Sequence, residues 1–235
     1  MSHQGTPVFM ARAVVVGHPL ASEKYVGLCD LPKLSNEAYK VYKDVLPERL
    51  ERFPQPSVHQ KDLLCVLDDR AGVNEETFPC VHELRHDAES ALWLLVWWAI
   101  HIRSPVNQNS GPSEIPYSVW MYLTSADPKT KKDYRESFLR GLYDTSSLPA
   151  WLDPAYDELA PLFQQMATQI DKDIYWVNRV TSSPQYMLDP EFHHEALQRL
   201  ILNFLTEHEG DAFLKLKRHS QHRKTESPPR QYADL

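Results

Sequence analysis

Residues 82–103 read His-Glu-Leu-Arg-His-Asp-Ala-Glu-Ser-Ala-Leu-Trp-Leu-Leu-Val-Trp-Trp-Ala-Ile-His-Ile-Arg, and residues 91–100 are apolar without a break. This run is too short to span a bilayer, which takes about twenty residues. Periodicity cannot distinguish a helix from a strand here, but the length, the Ala and Leu content and the acidic first turn favour a helix. A helix that is apolar on every side has to be surrounded by other elements. We therefore expect a buried central helix at about 87–103 in a mainly α-helical protein.

Length, composition and charge narrow the class of protein. The chain has 235 residues, enough for one or two domains with a real core. Its 7 glycines and 18 prolines indicate helices joined by stiff connections rather than a nucleotide-binding sheet, and the net charge of -7 argues against general nucleic-acid binding. The three cysteines form no Cys-x-x-Cys pair and no basic-plus-apolar leader opens the chain. We expect free thiols and an intracellular protein, in the cytoplasm or also in the nucleus.

A proline-interrupted helical pattern precedes the central stretch. Ser35 can cap a helix, and residues 38–46 carry apolar side chains at helical spacing. Pro47 interrupts the pattern, which continues over 48–53 after a kink. Residues 17–34 are predicted to form an irregular loop. Residues 62–67 are predicted to form a short apolar helix or strand, and residues 68–79 a polar surface loop.

Helical patterns also follow the central stretch, after a loop at 104–116 that is rich in Pro, Gly, Ser and Asn. Residues 128–142 begin with proline and place Tyr134, Phe138 and Leu142 on one apolar stripe. The other predicted helices are a short aromatic one and two long ones, at 118–123, 154–177 and 190–205. The basic tail from residue 215 is predicted to be disordered, with nuclear import or the binding of an acidic partner as alternative roles.

One motif in the central stretch suggests metal chemistry. His82, Glu83 and His86 form a literal His-Glu-x-x-His, which on a helix places two imidazoles on one face to bind zinc and offers the glutamate as general base. Pro79 lies three residues before the first histidine, so the pair would occupy a frayed first turn rather than a helix interior. The glycine and third histidine of the longer metzincin motif are absent. A zinc hydrolase is therefore the third hypothesis for this chain.

A second pattern overlaps the first. Residues 85–98, Arg-His-Asp-Ala-Glu-Ser followed by an aromatic-aliphatic run, resemble the Arg-His-Asp-Leu-Glu-Ser helix of the fungal-type protein kinase family. Residues 5–11, Gly-Thr-Pro-Val-Phe-Met-Ala, resemble the Gly-Thr-x-x-Phe-Met at the end of that family's activation segment. Residues 126–139 resemble its lysine-rich segment leading to Phe-Leu. The three pieces stand in the family's order, and the resemblance implies the helical C-terminal lobe of a protein kinase-like fold.

The resemblance also implies roles for individual residues. Asp87 would be the buried aspartate at the start of the central helix, which in an intact kinase accepts hydrogen bonds from the catalytic-loop backbone. A plain helix N-terminus favours the same residue type, because the helix dipole stabilises a carboxylate there. Arg85 and His86 would take part with Asp87 in the structural support of the catalytic loop. The surface under a substrate peptide would be formed by Gly5, Thr6, Pro7, Phe9 and Met10, with Thr6 facing the catalytic aspartate.

The departures from the kinase pattern bear on activity. Phosphoryl transfer needs a phosphate-covering glycine loop, a lysine–glutamate pair, a catalytic-loop Asp and Asn, and a metal-binding Asp. The chain contains no Gly-x-Gly-x-x-Gly, His-Arg-Asp or Asp-Phe-Gly. Ala13 stands where kinases carry the glutamate of Ala-Pro-Glu, so we expect the ion pair that steadies this segment to be missing. ATP and magnesium are thus expected only for a complete kinase, and this chain alone is predicted to be inactive.

The resemblance divides the chain into an activation-segment-like start at 1–16, an insertion with one or two helices at 17–80, a helical lobe at 81–210 and a tail at 211–235. The first hypothesis for its function is an incomplete or degenerate relative of a kinase that phosphorylates protein Ser or Thr. The second, from a different class, is a non-catalytic helical interaction module. Both imply an exposed apolar face where an upstream kinase segment or a partner protein would dock.

Overall fold

The computed structural model describes residues 9–17, 20, 25–28, 30–56, 63–66, 82–102, 125–143, 152–170 and 185–214. These residues are mainly α-helical, as predicted. The helices are α1 Arg12–Val16, α2 Asn36–Val45, α3 Pro47–Arg52, α4 Leu84–His101, α5 Pro128–Tyr143, α6 Ala160–Ile170 and α7 Phe192–Glu207. The strands are β1 Tyr25–Leu28 and β2 Leu63–Val66, and short 3-10 turns lie at Pro154–Leu159, Gln185–Leu188 and Ala212–Leu214. In this part of the chain no helix is both long enough and apolar enough to cross a membrane.

Helix α4 forms the centre of the core, which confirms the predicted central helix. Leu92, Trp93, Val96 and Ile100 are buried on one of its faces, because their spacing of three and four residues keeps them in line. They join one cluster with apolar side chains of α5, α6 and α7, among them Phe138, Leu139, Phe163, Met166 and Leu200. The expected burial on every side is wrong, however. Leu94, Trp97 and Trp98 lie on another face of α4 and are exposed by 48%, 36% and 39%.

The predicted pair α2 and α3 is confirmed, and local chemistry explains its limits. The Ser35 hydroxyl accepts a hydrogen bond of 3.1 Å from the amide of Ala38, which satisfies one of the free donors of the first turn of α2. Leu46 separates the two helices, and Pro47 begins α3, where its missing N–H costs nothing. Phe53 then turns inward and is fully buried.

Two strands pair in an antiparallel sheet, with Tyr25 opposite Val66 and Leu28 opposite Leu63. The expectation of an irregular loop throughout 17–34 is therefore wrong at 25–28. Residues 62–67, predicted to form either a short helix or a strand, contain the strand β2. The two strands, Tyr-Val-Gly-Leu and Leu-Leu-Cys-Val, carry no alternation of polar and apolar residues, so each is defined by its partner across the ladder.

The long helix predicted at 154–177 is broken near its start. Residues 154–159 form a 3-10 turn with a kink at Tyr156, and α6 begins only at Ala160. The carboxylate of Asp153 accepts a 3.0 Å hydrogen bond from the amide of Ala155, which stabilises the separate turn. Helix α7 agrees with the prediction to within two residues. The segments predicted at 68–79, 104–116, 118–123 and 171–177, and the tail from 215, lie outside the described residues.

A buried carboxylate joins α2 and α3 to α7. Glu195 is fully buried and accepts hydrogen bonds from the Tyr42 hydroxyl, at 2.6 and 2.8 Å to its two oxygens. Arg49 donates to it at 2.9 Å and the fully buried Arg199 at 2.7 Å. Arg199 also donates to the carbonyl oxygen of Phe53. The two helices of the segment predicted as an insertion are thus tied to α7 by buried polar contacts.

Candidate binding face on the central helix

The first turn of α4 shows how the sequence motifs are placed. Glu83 precedes the helix, and its amide donates a 2.9 Å hydrogen bond to Nδ1 of His86. His82 lies outside the helix, with its Nε2 3.0 Å from a carboxylate oxygen of Asp87. The side chains of His82 and Asp87 are 59% and 47% exposed. Asp87 is thus half-exposed here, unlike the buried aspartate that the resemblance implies for an intact kinase.

Asp87 stands at the N-terminal end of an open helical face. Ala91, Leu94 and Trp98 follow it at four, seven and eleven residues, a spacing that puts all four on one side of α4. Ala91, Leu94 and Trp98 are exposed. We call these four residues the Asp87 face. It combines one carboxylate, beside the positive end of the helix dipole, with a run of apolar side chains in contact with solvent.

Trp97 flanks the Asp87 face and connects it to the start of the described chain. The ring of Phe9 meets the Trp97 ring edge-on, with 6.0 Å between centroids, and the His101 ring lies 4.4 Å from it on the other side. Two of the predicted substrate-surface residues lie within the described structure. Phe9 contacts Trp97 of α4, and the carbonyl oxygen of Met10 accepts a hydrogen bond from Arg135 of α5. Gly5, Thr6 and Pro7 lie outside the described residues.

The opposite side of α4 carries a buried ion pair that sequence analysis missed. Arg12 Nε lies 3.0 Å from Glu89 Oε1, and both side chains are less than a tenth exposed. The same oxygen accepts from the backbone amide of Arg12 at 2.9 Å and from Trp93 Nε1 at 3.0 Å. Ala13 itself cannot form the ion pair of the kinase pattern, but this segment carries a different one. The neighbouring residue supplies one, with the positive charge on the segment and the negative charge on α4.

Arg135 of α5 completes this attachment. It is fully buried, its guanidinium lies 4.7 Å from the centre of the Trp93 ring, and it donates to the carbonyl oxygen of Met10. Burial lowers the pKa of Arg135 to about 10, with Arg12 acting in the same direction and Glu89 opposing it. Glu89 could have been recognised because it lies three and four residues before the buried Leu92 and Trp93. Arg135 carries the same signal, since it lies three and four residues before the buried Phe138 and Leu139.

The His-Glu-x-x-His motif does not assemble a metal site among the described residues. The rings of His82 and His86 are 5.8 Å apart, but Nε2 of His82 faces Asp87 and Nδ1 of His86 accepts the Glu83 amide. Within the described ranges no group of three or more His, Cys, Asp or Glu side chains is placed to hold a metal ion. Glu83 is the residue before the helix and His82 lies outside it, whereas the position of Pro79 led us to expect the pair in a frayed first turn.

Comparison with known proteins finds no family model, no curated protein and no solved structure that matches the chain. The resemblance to fungal-type kinases therefore rests on the motifs at 5–11, 85–98 and 126–139 alone. Among the described residues, the Asp87 face is the feature on which a proposal for the function of this protein can be built.

Proposed function

We propose that the chain is the helical lobe of a fungal-type, kinase-like protein, and that its Asp87 face binds the segment carrying the catalytic elements that these 235 residues lack. The proposal rests mainly on the half-exposed Asp87 in line with an open apolar face on the central helix. In an intact kinase the equivalent helix is covered, and its aspartate accepts hydrogen bonds from the catalytic loop.

The chemistry of the face suits such a segment. A carboxylate at a helix N-terminus can accept two or more backbone N–H groups, and charge-assisted hydrogen bonds of this kind are stronger than neutral ones. Leu94 and Trp98 are already about half-buried, so covering the remainder would contribute on the order of 1 kcal/mol each, about half of the value for a fully exposed side chain. The partner must therefore offer free backbone amides beside an apolar surface. His82, now paired with Asp87, would have to be displaced or become part of the contact.

The attachment of the start of the chain supports the same proposal. Residues from Phe9 to Val16 are held against α4 and α5 by the Arg12–Glu89 pair, by Arg135 and by the Phe9–Trp97 contact. The end of an activation segment also has to be fixed beside the central helix if it is to present a substrate peptide. The parent activity would be ATP-dependent phosphorylation of protein Ser or Thr, with ATP and magnesium bound by the missing elements.

The mass of the native protein tests this proposal. An antibody raised against residues 128–142 should detect, in source cells, a band clearly heavier than the 27.3 kDa of this chain. Mass spectrometry of that band should find a glycine-rich loop and the catalytic-loop Asp and Asn in the additional sequence. A band at 27.3 kDa would contradict the proposal.

That second outcome would favour the alternative, a non-catalytic helical interaction module. One observation supports this alternative: the fully buried Glu195 is satisfied by Tyr42, Arg49 and Arg199, all within the chain. A lobe whose buried charges are neutralised internally can be stable without further segments. The Asp87 face would then bind a separate protein.

A further inference from the structure

A second apolar feature lies beside the Asp87 face but is distinct from it. A groove of about 450 Å³ is lined by residues of α2, α4 and α7 and by the buried Met166 of α6. It shares only Ala91 with the Asp87 face; Leu95 is the other residue that α4 contributes. The volume lies within the range of about 300–1,000 Å³ that is usual for small-molecule sites. It would hold roughly fifteen water molecules at their volume in the liquid.

The lining changes from polar to apolar along α7. His194 and Gln198 are one turn apart at one end, and the apolar residues Leu197, Ile201, Leu202 and Leu205 continue along the helix. At 1.5 Å per residue, the distance from position 194 to position 205 is about 16 Å. Val41 and Val45 of α2 form the opposite lip, and both are well exposed. None of the described lining residues carries a permanent charge.

His194 gives the polar end a specific capacity. Its Nδ1 is enclosed by protein and has no hydrogen-bond partner among the residues that the structure describes. Nε2 is therefore the ring nitrogen that can meet a ligand, and it can pair with a hydroxyl or carbonyl oxygen. The side-chain amide of Gln198 can donate or accept beside it.

From these features we propose that the groove binds an uncharged small molecule with a long apolar body and one oxygen-containing polar end, such as a fatty alcohol or a fatty ester. The apolar body lies along Leu197, Ile201 and Leu205, and the oxygen lies at His194. A charged end group is disfavoured, because it would lose water without gaining a permanently charged partner in the lining.

Binding of 1-decanol to the full chain tests this proposal. Thermal unfolding followed with increasing 1-decanol should show a saturable rise in Tm, as for any ligand that binds the native state alone. Sodium decanoate at pH 8 should bind at least about ten-fold more weakly, because its carboxylate has no charged partner in the groove. Absence of a saturable rise, or decanoate binding as tightly as decanol, would overturn the proposal.

Two variants place the site in the groove. Val41→Asp combined with Val45→Asp puts two carboxylates at the exposed lip and should weaken decanol binding by at least about ten-fold with little effect on folding. His194→Leu removes the nitrogen but keeps an apolar side chain, and should weaken binding by about five-fold, the factor of one ordinary hydrogen bond. Leu84→Asp, at a similarly exposed apolar site of α4 that belongs neither to the groove nor to the Asp87 face, is the matched control and should bind decanol normally. Decanol binding that survives the double substitution would locate the site elsewhere and refute the inference.

Discussion

Replacing the buried Glu195 by glutamine tests how the two N-terminal helices are held to α7. The substitution keeps the size of the side chain but removes the charge that Arg199, also fully buried, and Arg49 share. Breaking a buried pair so that one charge is left uncompensated costs about 3–5 kcal/mol. Since domains unfold at a cost of only about 5–15 kcal/mol, Glu195→Gln should remove a large part of the total stability.

A graded series makes this expectation sharper. Tyr42→Phe removes the hydroxyl that donates to Glu195 but leaves both arginines paired, so it should cost about 1.5–3 kcal/mol, less than Glu195→Gln. Glu51→Gln changes an exposed carboxylate of α3 in the same way and should alter stability by no more than about 0.5 kcal/mol. Urea unfolding followed by far-ultraviolet circular dichroism measures all three.

Hydrogen exchange can show which helices lose stability in Glu195→Gln. If α2 is released locally, hydrogen exchange in Glu195→Gln should accelerate at amides 36–45 before it accelerates in α4. If the whole core depends on the contact, both helices should lose protection together. A cost for Glu195→Gln no larger than that for Glu51→Gln would refute the buried charge cluster altogether.

Three further predictions concern pH, the Asp87 face and nucleotide binding. Burial, reinforced by the hydrogen bond to Glu195 and by the charge of Glu195, raises the pKa of Tyr42 from 10.0 to about 12, so the folded state favours the neutral phenol. The stability that this contributes is complete below about pH 10 and is lost as the pH rises toward 12. In urea titrations, Tyr42→Phe should therefore lose less stability over that pH range than the unchanged protein. Asp87→Ala should lower the stability of this chain by at most about 1 kcal/mol, because the exposed ion pair with His82 and the interaction of the carboxylate with the helix dipole both contribute little. A loss above about 3 kcal/mol would show that Asp87 is buried in solution. Mg-ATP should produce no saturable rise in Tm with this chain, and a clear shift would mean that a nucleotide site exists in it.

Local signals in the sequence were enough to predict most of the helices. Ser35 and Pro47 fix the start of α2 and of α3 because capping and the missing proline N–H act within one turn. The 3-10 turn before α6 was not predicted, because the hydrogen bond from the Ala155 amide to Asp153 competes with a continuous helix over only a few residues. Residue types set element identity here, and short-range hydrogen bonds set the boundaries.

Contacts between distant residues could not be predicted in the same way. Tyr42 and Glu195 are 153 positions apart, and nothing near either residue indicates the other. The same holds for the pairing of β1 with β2, where each four-residue strand is defined only by its partner. A single sequence records which residues favour burial, but not which buried donor meets which buried acceptor.

The two acidic residues at the start of α4 show where a motif and a packing pattern lead to different expectations. The motif drew attention to Asp87, whereas Glu89 is the carboxylate that the fold buries. A rotation of 100° per residue separates positions 87 and 89 by about 200°, so they point to nearly opposite sides of the helix. Glu89 shares its side with Leu92, Trp93 and Val96, and it needs Arg12 because an unpaired buried charge would cost several kcal/mol. Asp87 shares its side with Leu94 and Trp98, and that side is open.

A continuous apolar run conceals this division between the two sides of α4, because it offers hydrophobic residues to both sides. If a partner segment covers the Asp87 face, both carboxylates of α4 are buried, each with its own partner. If it is not covered, Asp87 is no more than a half-exposed charge in the first turn of the helix.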